Sequence, residues 1–185
     1  APYALPAGLR AAGGILLCQA RPGDSDVEVA LPYGRQRIGR GAQDGAARRT
    51  GHISALESVA SGTWRLALQL QPHPELGLPL RFEPGQFMKV AVPGSPFWRS
   101  YSLTNLSNDE GIAEFYIRNR PTGAFSRYLA RAAVGDQLTI EGPSGAFGLV
   151  ENGPRPRWFV SGGTGLTPLL SMLRSMSAVR APQPV

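Results

Sequence analysis

The segment Arg99-Ser100-Tyr101-Ser102 sets a guanidinium, a phenol ring and two hydroxyls within one short stretch. A guanidinium is a planar fork that pairs with phosphate oxygens through parallel hydrogen bonds. A Tyr ring lies flat against a conjugated ring system, and a small hydroxyl bonds a polar atom at that ring's edge. These are the needs of a flavin nucleotide, and Arg99, Tyr101 and Ser102 supply them in turn, with Ser100 between. On a regular strand Arg99 and Tyr101 share one face while Ser100 and Ser102 share the other. Taken singly, the tetrapeptide also fits a surface strand with an incidental Arg and Tyr.

Further segments add to it. Gly123-Ala124-Phe125-Ser126 opens a helical pattern, where backbone N–H groups and the helix dipole favour an anion such as a pyrophosphate. A Ser beside a helix start is also common without any ligand. Gly142-Pro143-Ser144-Gly145-Ala146-Phe147-Gly148-Leu149 reads as a tight glycine loop of mainly structural purpose. Gly162-Gly163-Thr164-Gly165 lets a dinucleotide come close to the backbone, although it lacks G-x-G-x-x-G spacing. Neither His52 nor His73 sits in a motif.

The elements that must position these groups show in the hydrophobic period. Trp64, Leu66, Leu68 and Leu70 alternate with Arg65, Ala67, Gln69 and Gln71, as in a strand with one buried face. Met88, Val90 and Val92 do the same against Phe87, Lys89 and Ala91. So do Phe115 and Ile117 against Glu114, Tyr116 and Arg118, and Leu138 and Ile140 against Gln137, Thr139 and Glu141. Turn clusters such as Glu83-Pro84-Gly85 and Pro93-Gly94-Ser95-Pro96 separate the runs. Short strands at this spacing predict an antiparallel barrel or sandwich, interrupted by one helix with Phe125, Tyr128, Leu129 and Ala132 on one face. After residue 157 the pattern changes. Trp158-Phe159-Val160 reads as a strand covered on both faces. It runs through the Gly162–Gly165 turn into a helix with Thr167 as N-cap, Pro168 at the first helical position and Leu169, Met172, Leu173 and Met176 on one face. Strand, glycine turn and helix predict the opening of a Rossmann-like nucleotide-binding domain.

Composition limits the alternatives. The chain has 185 residues, 42% of them hydrophobic and 17% charged, enough apolar material for a core. No apolar run reaches the roughly 20 residues that cross a bilayer, so no membrane partner is expected. The start, Ala1-Pro2-Tyr3, has neither the basic nor the apolar region of a signal peptide. A net charge of +6 raises the question of nucleic acid, and a nucleic-acid-binding barrel is the reading it would support. The cations are scattered Arg, with Lys89 the single Lys, and no basic block alternates with stacking aromatics, so no nucleic acid is expected. The single cysteine, Cys18, excludes an internal disulfide and fits a reducing compartment, so a cytoplasmic location is expected. Alone it cannot hold a cluster or zinc, which need about four ligands.

In order and spacing these segments resemble the ferredoxin-NADP reductase superfamily, in which an FAD-binding barrel precedes an NAD(P) domain. The resemblance implies that Arg99, Tyr101 and Ser102 match the family's R-x-Y-S flavin segment. It implies that Tyr116-Ile117-Arg118 borders the flavin and that Gly123-Ala124-Phe125-Ser126 meets the pyrophosphate. Gly162, Gly163, Thr164, Gly165 and Pro168 would then start the nicotinamide site, with Ser102 and Thr164 nearest the chemistry. Gly14-Ile15-Leu16-Leu17-Cys18-Gln19-Ala20-Arg21-Pro22 looks like the tail of a plant-type ferredoxin domain, with Cys18 as a [2Fe-2S] ligand. That order is similar to the reductase components of bacterial multicomponent mono-oxygenases of the soluble methane, phenol and toluene type. The expected domains are a ferredoxin remnant at 1–37, a glycine-rich linker at 38–47, an FAD barrel at 48–150 and an incomplete NAD(P) domain at 151–185, in a chain truncated at both ends. The implied function is electron transfer from NADH or NADPH through FAD and [2Fe-2S] to a di-iron oxygenase component. A non-catalytic flavin-binding module on the same barrel is the alternative.

Overall fold

The computed structural model describes residues 48–72, 77, 79–149 and 157–179; the expectations for residues 1–47, Cys18 among them, lie outside the described residues. Six strands form one antiparallel sheet: β1 Arg48–Ala60, β2 Thr63–Leu70, β3 Phe87–Ala91, β4 Trp98–Ser102, β5 Ile112–Arg118 and β6 Gln137–Ser144. Their spatial order is β4-β3-β6-β1-β2-β5, so two sequential pairs, β3–β4 and β1–β2, are joined through β6, and β5 pairs with β2 at the far edge. The β1–β2 hairpin turns at Ser61-Gly62, with Ala60 opposite Thr63. Gly62 takes φ +71° there, the left-handed conformation that a two-residue hairpin turn demands. The sheet curls until its edges meet. Just past β4 the Thr104 N–H donates to the Glu114 carbonyl of β5 over 2.9 Å, which closes the barrel on that side.

The inward residues are those that the alternation marks. Leu66 and Leu68 of β2, Met88 and Val90 of β3, Phe115 of β5 and Ile140 of β6 are fully buried. Each such side chain stabilises the fold by about 1.5–3 kcal/mol through lost apolar surface. Helix α1, Ala124–Leu129, covers one end of the barrel by inserting Phe125 and Leu129 into the same core. Ala132 lies past the end of α1 yet still packs on that core. Two strand positions depart from the simple period. Ala67 is buried on the face expected to be wet, and so is Glu114, which the second helix, α2, Leu166–Ala178, meets through Arg174.

The C-terminal segment differs from expectation in two ways. Residues 157–160 form no strand, and Trp158 and Val160 are each 90% exposed. A buried strand needs ladder partners on both sides, and no described strand lies beside this run. Helix α2 begins at Leu166 with Gly165 as its N-cap, so Thr167 and Pro168 are inside the first turn. Thr167 Oγ1 donates to the Thr164 carbonyl over 2.8 Å rather than accepting a backbone N–H. Pro168 remains in the first turn, where a missing N–H breaks no helical bond. Leu169, Met172 and Met176 are buried, so the apolar face that their spacing marks is covered. Strand β6 also runs on through Gly142, Pro143 and Ser144, where a glycine loop was expected.

Candidate functional site

Strand β4 is an edge strand, bonded only to β3, with Ser102 opposite Phe87 and Arg99 opposite Val90. At an edge both faces are accessible from one side. Arg99, Ser100, Tyr101 and Ser102 therefore all line one cleft despite their alternation. Across it stand Tyr116 and Arg118 of β5, with Arg120 just beyond. Gly123, Ala124, Phe125 and Ser126 form its floor at the start of α1. Thr164, Gly165 and Thr167 close it from the turn before α2. The cleft volume is about 430 Å³, within the ordinary span for small-molecule sites.

The aromatic wall is fixed from behind. The Tyr101 ring stacks on Phe125 at 5.4 Å between centroids and 28° between planes, and meets Phe115 edge-on at 6.5 Å. Phe125 stacks in turn on Tyr128 at 6.0 Å. Burial pushes the Tyr101 phenol up to about 12, and the neighbouring Arg99 charge only partly opposes it. The phenol thus stays a neutral O–H donor at any physiological pH. Ser102 is half-buried at the edge of this wall.

Three guanidiniums, those of Arg99, Arg118 and Arg120, give the cleft its charge, and no acidic residue is among its described lining. None of the three is ion-paired to a carboxylate among the described residues. Arg99 donates to the Trp98 carbonyl over 2.9 Å and lies 5.8 Å from the Phe97 ring centroid, which leaves donors of its fork for a ligand. On the floor, the first intrahelical bond of α1 runs from Arg127 N–H to the Gly123 carbonyl at 3.0 Å. The N–H groups of residues 124–126 precede that bond and face the cleft end of the helix. Ser126 Oγ accepts the Arg120 N–H over 2.9 Å, tying the floor to the strand that carries Arg118. Cations, a flat ring wall, an edge hydroxyl and unbonded helix N–H groups are together a donor set that fits a flavin dinucleotide.

Not every expected residue joins this cleft. Ile117 is buried in the barrel core because strand alternation turns it away from Tyr116 and Arg118, and it is not among the residues lining the cleft. Gly163 lines a second cleft of about 770 Å³, which shares Tyr116, Arg118, Thr164 and Thr167 with the first and extends to the β1–β2 hairpin tip. Gly162 and Pro168 belong to neither lining. Arg120 and Thr167 are not among the expected site residues; by sequence Thr167 is expected as a helix cap. Arg120 stands two residues after Arg118, the strand period carried one step past β5, which is a usable signal. No group of His, Cys, Asp and Glu among the described residues could hold a metal ion.

An ionic cluster centred on the buried Glu114 carboxylate joins α2 to the barrel. Glu114 Oε2 accepts Arg65 Nε–H at 2.7 Å, and Oε1 accepts Arg174 Nη1–H at 2.8 Å and the Thr104 hydroxyl at 2.7 Å. Burial pushes the Glu114 carboxyl up, but the hydrogen bonds from Arg174, Thr104 and Arg65 together outweigh it and leave it below the usual carboxylate range.

Comparison with known proteins agrees with this geometry. The chain is 40% identical over 173 residues to methane monooxygenase component C of Methylosinus trichosporium, covering 93% of this chain and 50% of that protein. The cytochrome P450 reductase GcoB of Amycolatopsis superposes with a TM-score of 0.62 at 32% identity, over 73% of this chain and 40% of that one. Phthalate dioxygenase reductase superposes with a TM-score of 0.59 at 29% identity, over 74% and 41%. The chain thus spans about half the length, or less, of these relatives. Residues 50–148, more than half of the chain and the whole barrel wall of the cleft, match the model of the oxidoreductase FAD-binding domain, and the chain belongs to that family.

Proposed function

We propose that this chain is the flavin-binding part of a reductase that takes electrons from NADH or NADPH and passes them through FAD to a [2Fe-2S] cluster and on to an oxygenase component. The observation that carries the reading is the convergence of Arg99, Tyr101 and Ser102 with the α1 N-terminus and with Thr164 and Gly165 in one cleft. Phthalate dioxygenase reductase, whose structure is described as modular for electron transfer from pyridine nucleotides to [2Fe-2S], supports it. So does the relation to a methane monooxygenase component.

In this reading Arg99, Arg118 and Arg120 neutralise the phosphates, and the N–H groups at 124–126 bond them. Tyr101, Tyr116 and the backbone at Ile117 border the ring, and Ser102 bonds its polar edge. FAD held by these residues would supply the redox chemistry, exchange of two electrons with a nicotinamide and of single electrons with a cluster. The chain's own task is to hold that ring against a rigid wall, and the neutral Tyr101 phenol keeps a negative charge away from it. Thr164, which lines both clefts, would meet the nicotinamide, with Gly162, Gly163, Gly165 and Pro168 shaping the turn and helix start that present it.

The domain reading goes with this proposal: a ferredoxin remnant at 1–37 with Cys18 as a cluster ligand, a linker at 38–47, the FAD barrel at 48–150 and the start of an NAD(P) domain at 151–185. A cytoplasmic site of action is part of it; no helix among the described residues is long and apolar enough to cross a membrane. The test is anaerobic addition of NADH or NADPH to the natural protein that contains this chain, loaded with FAD. Bleaching of the flavin absorption, followed by reduction of a one-electron acceptor, is expected. A protein that holds FAD but does not bleach is a binding module and not a reductase.

A further inference from the structure

Helix α2 touches the barrel through polar contacts on one face. Ser171 and Arg174 are three residues apart, hence neighbours on that face. Ser171 Oγ accepts the Gly85 N–H at 2.9 Å while donating to the Pro168 carbonyl at 2.9 Å. Arg174 Nη1 lies 2.8 Å from both the Thr104 carbonyl and Glu114 Oε1. Gly85 has φ +98°, and a Cβ there would stand 2.1 Å from the Phe147 carbonyl oxygen and 2.5 Å from Met172 Cε. The approach of the helix is thus close as well as polar.

The Arg174 acceptors are informative. Thr104 follows the Arg99–Ser102 segment by two residues, and Glu114 precedes Tyr116 and Arg118 on the opposite wall. The same guanidinium therefore grips both walls of the cleft at their seam. From Arg174 back to Thr167 the helix rises about 10 Å, at 1.5 Å per residue, and Thr167, Gly165 and Thr164 line the cleft. Glu114 does not need Arg174 for its own satisfaction, since Arg65 Nε and the Thr104 hydroxyl, both from the barrel, already bond it. The third partner serves the helix.

We propose that Arg174 is a positioning residue: by holding α2 on Glu114 and on the Thr104 carbonyl, it sets the place of the Gly163–Gly165 turn and Thr164 over the Arg99–Ser102 segment. The proposal rests on the flavin reading for its consequence, because Thr164 matters only if a nicotinamide must reach a ring held by Tyr101 and Ser102. Its structural half stands apart from that reading.

The test compares wild type with Arg174→Met, which keeps the apolar stem, Arg174→Lys, which keeps a donor, and Glu114→Gln, alone and combined with Arg174→Met. In the natural protein, Arg174→Met should leave FAD affinity near wild type. It should lower the limiting rate of flavin reduction by NADH by about tenfold or more, as the loss of a charge-assisted hydrogen bond implies. Arg174→Lys should recover part of that rate, and adding Glu114→Gln to Arg174→Met should slow reduction less than it does in wild type. Backbone hydrogen exchange should rise across residues 166–178 in Arg174→Met and stay at wild-type level in β2 and β5. An unchanged reduction rate, or one lowered equally in Lys and Met variants with unchanged exchange in α2, overturns the proposal. A wild-type protein that binds no FAD refutes the flavin reading instead, and the exchange measurement still decides whether Arg174 docks the helix.

Discussion

Replacing Glu114 with Gln removes one negative charge from a site where the carboxylate side chain is only 9% exposed. The change is nearly isosteric, so the loss is chiefly electrostatic. Gln has a single acceptor oxygen, so of the guanidinium bonds at 2.7 Å from Arg65 and 2.8 Å from Arg174 one becomes a neutral-acceptor bond and the other faces an amide NH2 and is lost, a forfeit of about 2–4 kcal/mol in all. Arg65 keeps Glu57 at 3.3 Å and Arg174 keeps the Thr104 carbonyl. Both arginines are partly exposed, at 30% and 41%, so water screens what remains and the sum is reduced to about 2 kcal/mol. For a chain of this length that lowers Tm by roughly 4–8 °C. Glu57→Gln, on a 57% exposed carboxylate, should cost less than about 0.5 kcal/mol. The assay is thermal or urea unfolding of the three proteins between pH 7 and pH 3. Because the folded-state pKa of Glu114 is depressed, its contribution is present above the unfolded-state value and is lost as pH falls through the folded-state value. The gap between wild type and Glu114→Gln should therefore be full at pH 7 and shrink in acid. A gap that persists unchanged to pH 3, or no gap at pH 7, refutes the claim that this charge holds helix and barrel together.

Arg99→Ala should weaken FAD binding by about tenfold or more, the worth of one charge-assisted hydrogen bond, whereas Arg81→Ala, remote from the cleft lining, should not; equal effects in a flavin titration remove Arg99 from the site. Ser102→Ala should keep FAD bound and slow its reduction by NADH in stopped-flow measurements, since a hydroxyl at the ring edge affects orientation more than affinity. Gly85→Ala should destabilise the fold by about 3 kcal/mol or more, combining left-handed strain with overpacking against the Phe147 carbonyl; a denaturation midpoint near wild type shows that the Phe147 carbonyl does not approach Gly85 so closely in solution.

The strands and the flavin segment were legible because both are local. Alternation in β2, β3 and β6 marks the inward face directly, and Arg99, Tyr101 and Ser102 lie so near one another that one strand edge presents them all. What sequence could not reveal depends on elements distant along the chain. Glu114 reads as a solvent-facing position until α2, some 60 residues later, brings Arg174 to it. Thr167 looks like an N-cap by type, but the glycine turn before it continues as a 3-10 turn, Gly163–Gly165, straight into the helix, which moves the cap to Gly165. Trp158 and Val160 have the composition of a buried strand, and composition does not supply ladder partners. Ile117 was grouped with its neighbours as a unit, although strand period alone separates its side chain from those of Tyr116 and Arg118.

The central claim is that the cleft between β4, β5 and α1 binds FAD, and titration of the 185-residue chain with FAD, followed by flavin fluorescence and absorbance, tests it most directly. The account predicts a saturable complex with one FAD per chain, weakened by Arg99→Ala and left intact by Ser102→Ala. A folded chain that neither retains nor takes up FAD, or whose affinity is indifferent to Arg99, would contradict it.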